Sequence, residues 1–218
     1  MQLYIGNKNY SSWSLRPWIL LHHLGLRFTE TIVPLDTTQF RSEIGKASPT
    51  GRVPALDHDG LKVWDSLAIC EYACELAGRG WPEDRALRAQ ARSAAAEMHS
   101  GFAALRTQWP MNARATGRRT PPTPELERDV SRIDAIWNAL RAVAPITAGP
   151  WLCGNYSVAD AMFAPVVLRF ATYGARPRLS VLSQSYLDSA LADPHLVAWI
   201  DAARAETWTL EKSEVGRG

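Results

Sequence analysis

Val53-Pro54-Ala55-Leu56-Asp57-His58-Asp59-Gly60-Leu61-Lys62-Val63-Trp64-Asp65-Ser66 is the stretch that decides how this chain folds. Two short runs, 53–56 and 61–64, flank the turn-forming quartet Asp57-His58-Asp59-Gly60, so the stretch reads as a β-hairpin. Asp65-Ser66 follows at once as a helix start, and apolar spacing carries a helix from Ser66 to about Ala77, where Gly78 stops it. Working upstream, a short helix is predicted at about Thr38 to Lys46 and a strand at Phe28 to Leu35. Before them come a helix at Ser14 to Leu24, with Pro17 in its first turn, and a strand at Leu3-Tyr4-Ile5. The order is βαβ followed by αββα. Working downstream, Gly78-Arg79-Gly80-Trp81-Pro82 reads as a linker, and beyond it nearly everything has helical period, at 84–115, 123–143, 157–173, 179–192 and 194–206. The expectation is an α/β domain over residues 1–80 and an all-helical domain over residues 84–218.

Composition narrows the function classes. The 218 residues are 46% hydrophobic and 21% charged, which describes a folded globular chain rather than a disordered one. With 24 basic and 22 acidic residues the formal net charge is +2, too small an imbalance to predict a nucleic-acid groove or an anionic-membrane surface. No apolar run approaches the roughly 18 residues of a membrane span, and the start lacks the basic and apolar regions of a secretory signal. A cytoplasmic location is expected, with no nucleic-acid or membrane partner. The 3 cysteines, Cys70, Cys74 and Cys153, do not suggest a disulfide framework, and Cys70 and Cys74 lack the Cys-x-x-Cys spacing of a redox pair. His22, His23, His58, His99 and His195 show no metal-ligand spacing, so no metal is expected.

Three segments have residues suited to chemistry. Asn9-Tyr10-Ser11-Ser12-Trp13-Ser14 joins the first strand to the first helix, and its hydroxyls lie where free N–H groups and the helix dipole favour an anion; they equally suit plain helix capping. Val53-Pro54 suits a cis bond that offers the backbone of Val53 to an extended ligand, or the start of an ordinary edge strand. Asp65-Ser66 pairs a carboxylate with a hydroxyl and free amides, a grip for an ammonium and a carboxylate together, or a simple N-cap.

In combination and in this order, the segments resemble those of a cytosolic glutathione transferase. The resemblance rests on Tyr10-Ser11-Ser12-Trp13-Ser14-Leu15-Arg16-Pro17, Ser48-Pro49-Thr50-Gly51-Arg52-Val53-Pro54-Ala55-Leu56, Asp65-Ser66-Leu67-Ala68-Ile69 and Gly154-Asn155-Tyr156-Ser157-Val158-Ala159-Asp160. The last reads physically as a capping box, Ser157 at the N-cap and Asp160 three residues on. The family implies a thioredoxin-like N-terminal domain and a helical C-terminal domain. It also implies glutathione as co-substrate and a homodimer. The serine-bearing loop is most similar to that of zeta-like bacterial enzymes, which implies a serine hydroxyl donating to the glutathione sulfur: Ser11, with Ser12 as close rival and Tyr10 as a third candidate. By the same resemblance Val53, followed by Pro54, pairs with the cysteinyl unit, Asp65 and Ser66 hold the γ-glutamyl end, and Arg52, helped by Gln39, holds the glycyl carboxylate. Two departures stand out: Trp13 replaces the cysteine of zeta-class isomerases, and Asp65 replaces the commoner Glu.

A second substrate is expected between the first helix and the helical domain, beside Trp13, His99, Phe102, Arg106, Trp109, Arg169, Tyr173 and Trp208. An apolar or aromatic electrophile suits such a lining, although helical spacing reads most of these aromatics as core. Arg106 and Arg169 suit an acidic group on that substrate or plain surface charge. Arg114, Arg118 and Arg119 read as a solvated helix end. The expected activity is that of a glutathione transferase. The alternatives are a non-catalytic binding or stress protein on the same fold, and a glutathione-dependent peroxidase or isomerase using the same first site.

Overall fold

The computed structural model describes residues 1–145 and 148–217, the side chain of Gln39 excepted. Four strands form one mixed sheet: β1 (Gln2–Ile5), β2 (Thr29–Ile32), β3 (Ala55–His58) and β4 (Leu61–Val63), in the order β2-β1-β3-β4. β1 runs parallel to β2 and antiparallel to β3, with Leu3 opposite both Glu30 and Leu56. The hairpin read from the sequence is the β3–β4 pair, in which Asp57 accepts from the Gly60 amide at 2.9 Å. Pro54 precedes β3, an inner strand rather than an edge, and its bond to Val53 is cis.

Helices α1 (Ser12–Leu24), α2 (Thr38–Ala47) and α3 (Ser66–Ala77) complete the N-terminal part. α1 starts two residues earlier than its apolar spacing predicts, because the polar Ser12 and Trp13 already have helical geometry; Pro17 therefore lies inside the helix rather than in its first turn. α3 keeps its predicted limits, with Asp65 at the N-cap accepting from Leu67 and Ala68 amides and Gly78 left-handed at the C-cap.

The rest is helical: α4 (Arg85–Ser100), α5 (Ala103–Gln108), α6 (Pro124–Val143), α7 (Val158–Tyr173), α8 (Val181–Leu191) and α9 (Pro194–Ala205). The single helix expected over 84–115 is two, since Phe102 adopts φ 61° and Arg106 turns back to cap the open carbonyls at the end of α4. α7 is buried along nearly its whole length. At its start Asp160 accepts from the Ser157 amide, the Ser157 hydroxyl and the Leu152 amide, each at 2.9 Å. α1 packs on α3 and on α7, so one apolar core runs from Leu3 and Leu15 through Met98 and Phe163 to Trp199. None of the helices described is long and apolar enough to cross a membrane.

Candidate active site

The N-terminal ends of α1 and α3 and the approach to β3 meet around an open cavity of about 530 Å³. Its wall is formed by Trp13 from α1, Thr50, Arg52, Val53 and Pro54 before β3, and Trp64, Asp65 and Ser66 at the start of α3. Topology explains the convergence: β1 and β3 are neighbours, so the loop leaving β1 and the loop entering β3 lie at adjacent sheet positions, and α3 packs against α1. The lining combines two hydroxyls, a carboxylate, a guanidinium and backbone polar groups with two exposed indoles, Trp13 and Trp64.

Ser66 is the sharpest feature of this wall. It is fully buried, and its hydroxyl has no hydrogen-bond partner among the described residues. Burying an unpaired hydroxyl costs roughly 1–3 kcal/mol, so such a group ordinarily meets a partner. Asp65 is exposed and divided: one carboxylate oxygen caps α3, while the other lies 2.9 Å from Nε2 of His99, on α4. His99 also meets the edge of the Trp13 ring, with centroids 5.3 Å apart. The helical part thus touches two residues of the cavity wall, Asp65 and Trp13, through His99.

Ser11 and Ser12 stand behind Trp13 at the α1 N-terminus, both buried, and neither is part of the cavity wall described above. Ser11 occupies the N-cap position, yet its hydroxyl caps no amide; it bonds the Ser14 hydroxyl at 2.7 Å, and Ser14 accepts from the Gly6 amide at 3.1 Å. The Ser12 hydroxyl has no partner among the described residues. Tyr10 is committed elsewhere, donating to Glu214 at 2.7 Å and accepting from Arg114 at 3.0 Å, which removes it as a third candidate.

Two arginines pack on Trp13, and the charge of a third, Arg169, acts on the first of them. The Arg16 guanidinium is 4.2 Å from the Trp13 ring and that of Arg106 is 4.8 Å from it. Arg16 is completely buried and none of its three side-chain nitrogens has a hydrogen-bond partner among the described residues. Burial, then the charges of Arg106 and Arg169, push its pKa well down. Arg169 donates to the Trp109 carbonyl at 2.8 Å, and burial pulls its pKa to about 9. Phe102, Trp109 and Tyr173 are core residues, the last two stacked at 5.3 Å. Trp208 stands apart from all of these, lining a separate hollow with Leu35, Thr37 and Lys212. The Gln39 side chain lies outside the described residues.

Several contributors had no sequence signal. Thr50 and Trp64 sit one or two positions from predicted residues, and strand alternation alone did not mark them. Glu206 accepts from the Lys8 and Asn9 amides at 2.6 and 3.0 Å, pinning the loop that leads to the serines from the far end of the chain. Arg114 and Arg118, expected as solvated, instead pair with the buried Glu214, because the C-terminal segment folds back over them.

A family model for the N-terminal domain of glutathione S-transferase matches residues 10–76. Maleylacetoacetate isomerase of Rattus norvegicus is 30% identical over 173 residues, 76% of each chain. The chain belongs to the glutathione S-transferase family. Solved members of this family show the same fold. A glutathione transferase homologue from Burkholderia gl BGR1, solved with bound glutathione, superposes with a TM-score of 0.69 at 24% identity, over 94% of this chain and 98% of that one. Maleyl pyruvate isomerase, a bacterial zeta-class glutathione S-transferase, gives 0.68 at 20% identity over 95% of this chain and all of its own.

Proposed function

We propose that the chain binds glutathione in the cavity between α1, β3 and α3, stabilises its thiol as the thiolate, and conjugates it to a small electrophile. The observation that carries this reading is Ser66: a buried hydroxyl in the cavity wall, at a helix N-terminus, lacking a partner among the described residues. In this reading the Ser66 hydroxyl receives the γ-glutamyl carboxylate, and Asp65 its ammonium. Val53, before cis-Pro54, pairs its backbone with the cysteinyl unit, and Arg52, with Gln39 beside it, takes the glycyl carboxylate. Ser11 donates to the sulfur and Ser12 is next to it. Sulfur forms a bond to the electrophilic carbon, the thiol proton having passed to solvent, and either the adduct takes a proton from solvent or the displaced group leaves as an anion. The indoles of Trp13 and Trp64 favour an apolar or aromatic co-substrate.

The test is the ultraviolet thiolate absorbance of bound glutathione titrated against pH. A thiol pKa about one to two units below that of free glutathione, lost in Ser11→Ala, is expected from one charge-assisted bond and a helix N-terminus. Binding without a shift favours the non-catalytic reading.

A second reading, glutathione-dependent isomerisation of an acidic compound, is favoured by Arg16, which has no hydrogen-bond partner among the described residues and feels the charges of Arg106 and Arg169. It predicts that a carboxylate-bearing electrophile has a higher kcat/KM than its neutral counterpart, and equal values count against it. We further infer two domains, 1–80 and 84–218, a cytoplasmic location and a homodimer. Leu61, Trp64 and Leu76 support the dimer as large apolar side chains left exposed on and near β4 and α3. A monomer by light scattering at micromolar concentration contradicts it.

A further inference from the structure

Counting protons along one short chain of hydrogen bonds assigns a role to Ser14. Its hydroxyl accepts from the Gly6 amide at 3.1 Å and lies 2.7 Å from the Ser11 hydroxyl, and Ser14 is completely buried. Each hydroxyl has one proton to give. If Ser11 donated to Ser14, Ser14 would accept twice and its own proton would have no acceptor among the described residues, a buried donor left unpaired. If Ser14 donates to Ser11, both Gly6 and Ser14 are satisfied and a single proton remains, on Ser11. That proton has no acceptor among the described residues, and Ser11, 5% exposed where Ser14 is wholly buried, sits at the N-terminus of α1, where an anion is favoured.

We infer that Ser14 is a positioning residue: its hydroxyl donates to Ser11 and so directs the Ser11 proton outward, to the sulfur of bound glutathione. The assignment rests on the thiolate reading above. The chain Gly6 N–H to Ser14 to Ser11 to sulfur is directional, each donor polarising the next, so Ser11 is a stronger donor than an isolated serine. No bond breaks within the relay. The thiol proton leaves for solvent, and the relay stabilises the charge left on sulfur.

The experiment is the pH titration of the thiolate signal, taken as the difference between the glutathione and S-methylglutathione complexes so that the protein's own thiols and phenols cancel. Wild type, Ser14→Ala, Ser14→Thr, Ser11→Ala and the double alanine variant are compared, with S-methylglutathione affinity measured separately. Ser14→Ala is expected to raise the bound thiol pKa by about half a unit to one unit, roughly three- to tenfold less thiolate below that pKa. S-methylglutathione affinity should stay within about twofold, as expected for a group acting on the sulfur's charge and not on the rest of the peptide. Ser14→Thr keeps the hydroxyl and should restore the wild-type value. In the Ser11→Ala background, Ser14→Ala should add nothing, because it acts through Ser11. If Ser14→Ala does not fold, Ser14→Cys, similar in size and a weak donor, is expected to shift the pKa in the same direction. An unchanged pKa in the Ser14 variants, with Ser11→Ala raising it, overturns the relay while leaving the thiolate reading intact. So does an equal Ser14→Ala shift with and without Ser11. A wild-type thiol pKa no lower than that of free glutathione overturns both.

Discussion

Arg16 is a full positive charge placed where neither water nor a hydrogen-bond acceptor meets it among the described residues. The indole of Trp13 at 4.2 Å returns some of the lost solvation through its π face, while Arg106 and Arg169 oppose it. Replacing it by an apolar side chain of similar length is therefore expected to stabilise the free protein. Arg16→Met should raise the unfolding free energy by about 1–2 kcal/mol in urea titrations without ligand. A loss of stability would mean that the guanidinium has a compensating anion. At this scale the sequence was readable where placement follows from local grammar. Val53, Asp65 and Ser66 sit where a strand begins or a helix starts, and those positions are legible from neighbours alone. The Ser11–Ser14 bond was missed although both residues lie three apart on one segment, since capping of an amide was the obvious use for each. Tyr10 was misread because its partner Glu214 is 204 residues away.

Among the elements, α7 shows how a local signal became a buried anchor. Ser157 and Asp160 have the spacing of a capping box, and the structure places that box under the core, with Asp160 almost completely inaccessible. Burial pushes the Asp160 carboxyl up to about 6, against the pull of the Leu152 amide and of Ser157. Its folded pKa thus exceeds the usual carboxylate value of 3.8, so the native state holds the proton longer than the unfolded chain does. The contribution is favourable below about pH 4 and is lost as pH rises toward 6. Urea unfolding at both pH values should show the wild type's advantage over Asp160→Asn shrinking by about 2–3 kcal/mol from pH 4 to pH 7. An advantage independent of pH contradicts this. Outside 84–115, helix and strand order were legible because apolar period changes from 2 to 3.6 where strands give way to helices. The boundary of α1 and the break at Phe102 were not, for each depends on residues whose own spacing carries no stop signal. Gly101 and Phe102 interrupt a run of helical period only in three dimensions.

The whole molecule is held together across its two parts by contacts that no local pattern contains. The C-terminal segment returns to the loop after β1, where Glu206 takes the Lys8 and Asn9 amides and Trp199 donates to the Lys8 carbonyl at 2.8 Å. Glu214 gathers Tyr10, Asn112, Arg118 and Arg217 around one nearly buried carboxylate. Burial raises its pKa, but hydrogen bonds from Tyr10, Arg217 and Asn112 more than offset this and hold it below the usual 4.5. A depressed carboxylate stabilises the fold above its unfolded pKa, and that contribution disappears as pH falls below 4.5. Glu214→Gln should cost about 1–2 kcal/mol at neutral pH, because it replaces charge-assisted bonds from the half-buried Arg118 and from Tyr10 and Asn112 by neutral ones, and should weaken the acid sensitivity of unfolding. A neutral effect at pH 7 would show that the segment is not a structural tie. The division into an α/β part and a helical part was legible from the change of period near residue 80. The tie between them was not, since it joins residues about two hundred positions apart.

The central claim is that the cavity around Ser66 is a glutathione site, and calorimetric titration of glutathione into wild type and Ser66→Ala tests it most directly. The account predicts binding to the wild type and an affinity roughly 5- to 30-fold weaker in Ser66→Ala, the worth of about 1–2 kcal/mol for a hydrogen bond to a carboxylate. Thermal stability of the free variant should be unchanged or higher, because a buried hydroxyl with no partner among the described residues has been removed. Equal affinity in the two proteins, or no binding by the wild type, would contradict it.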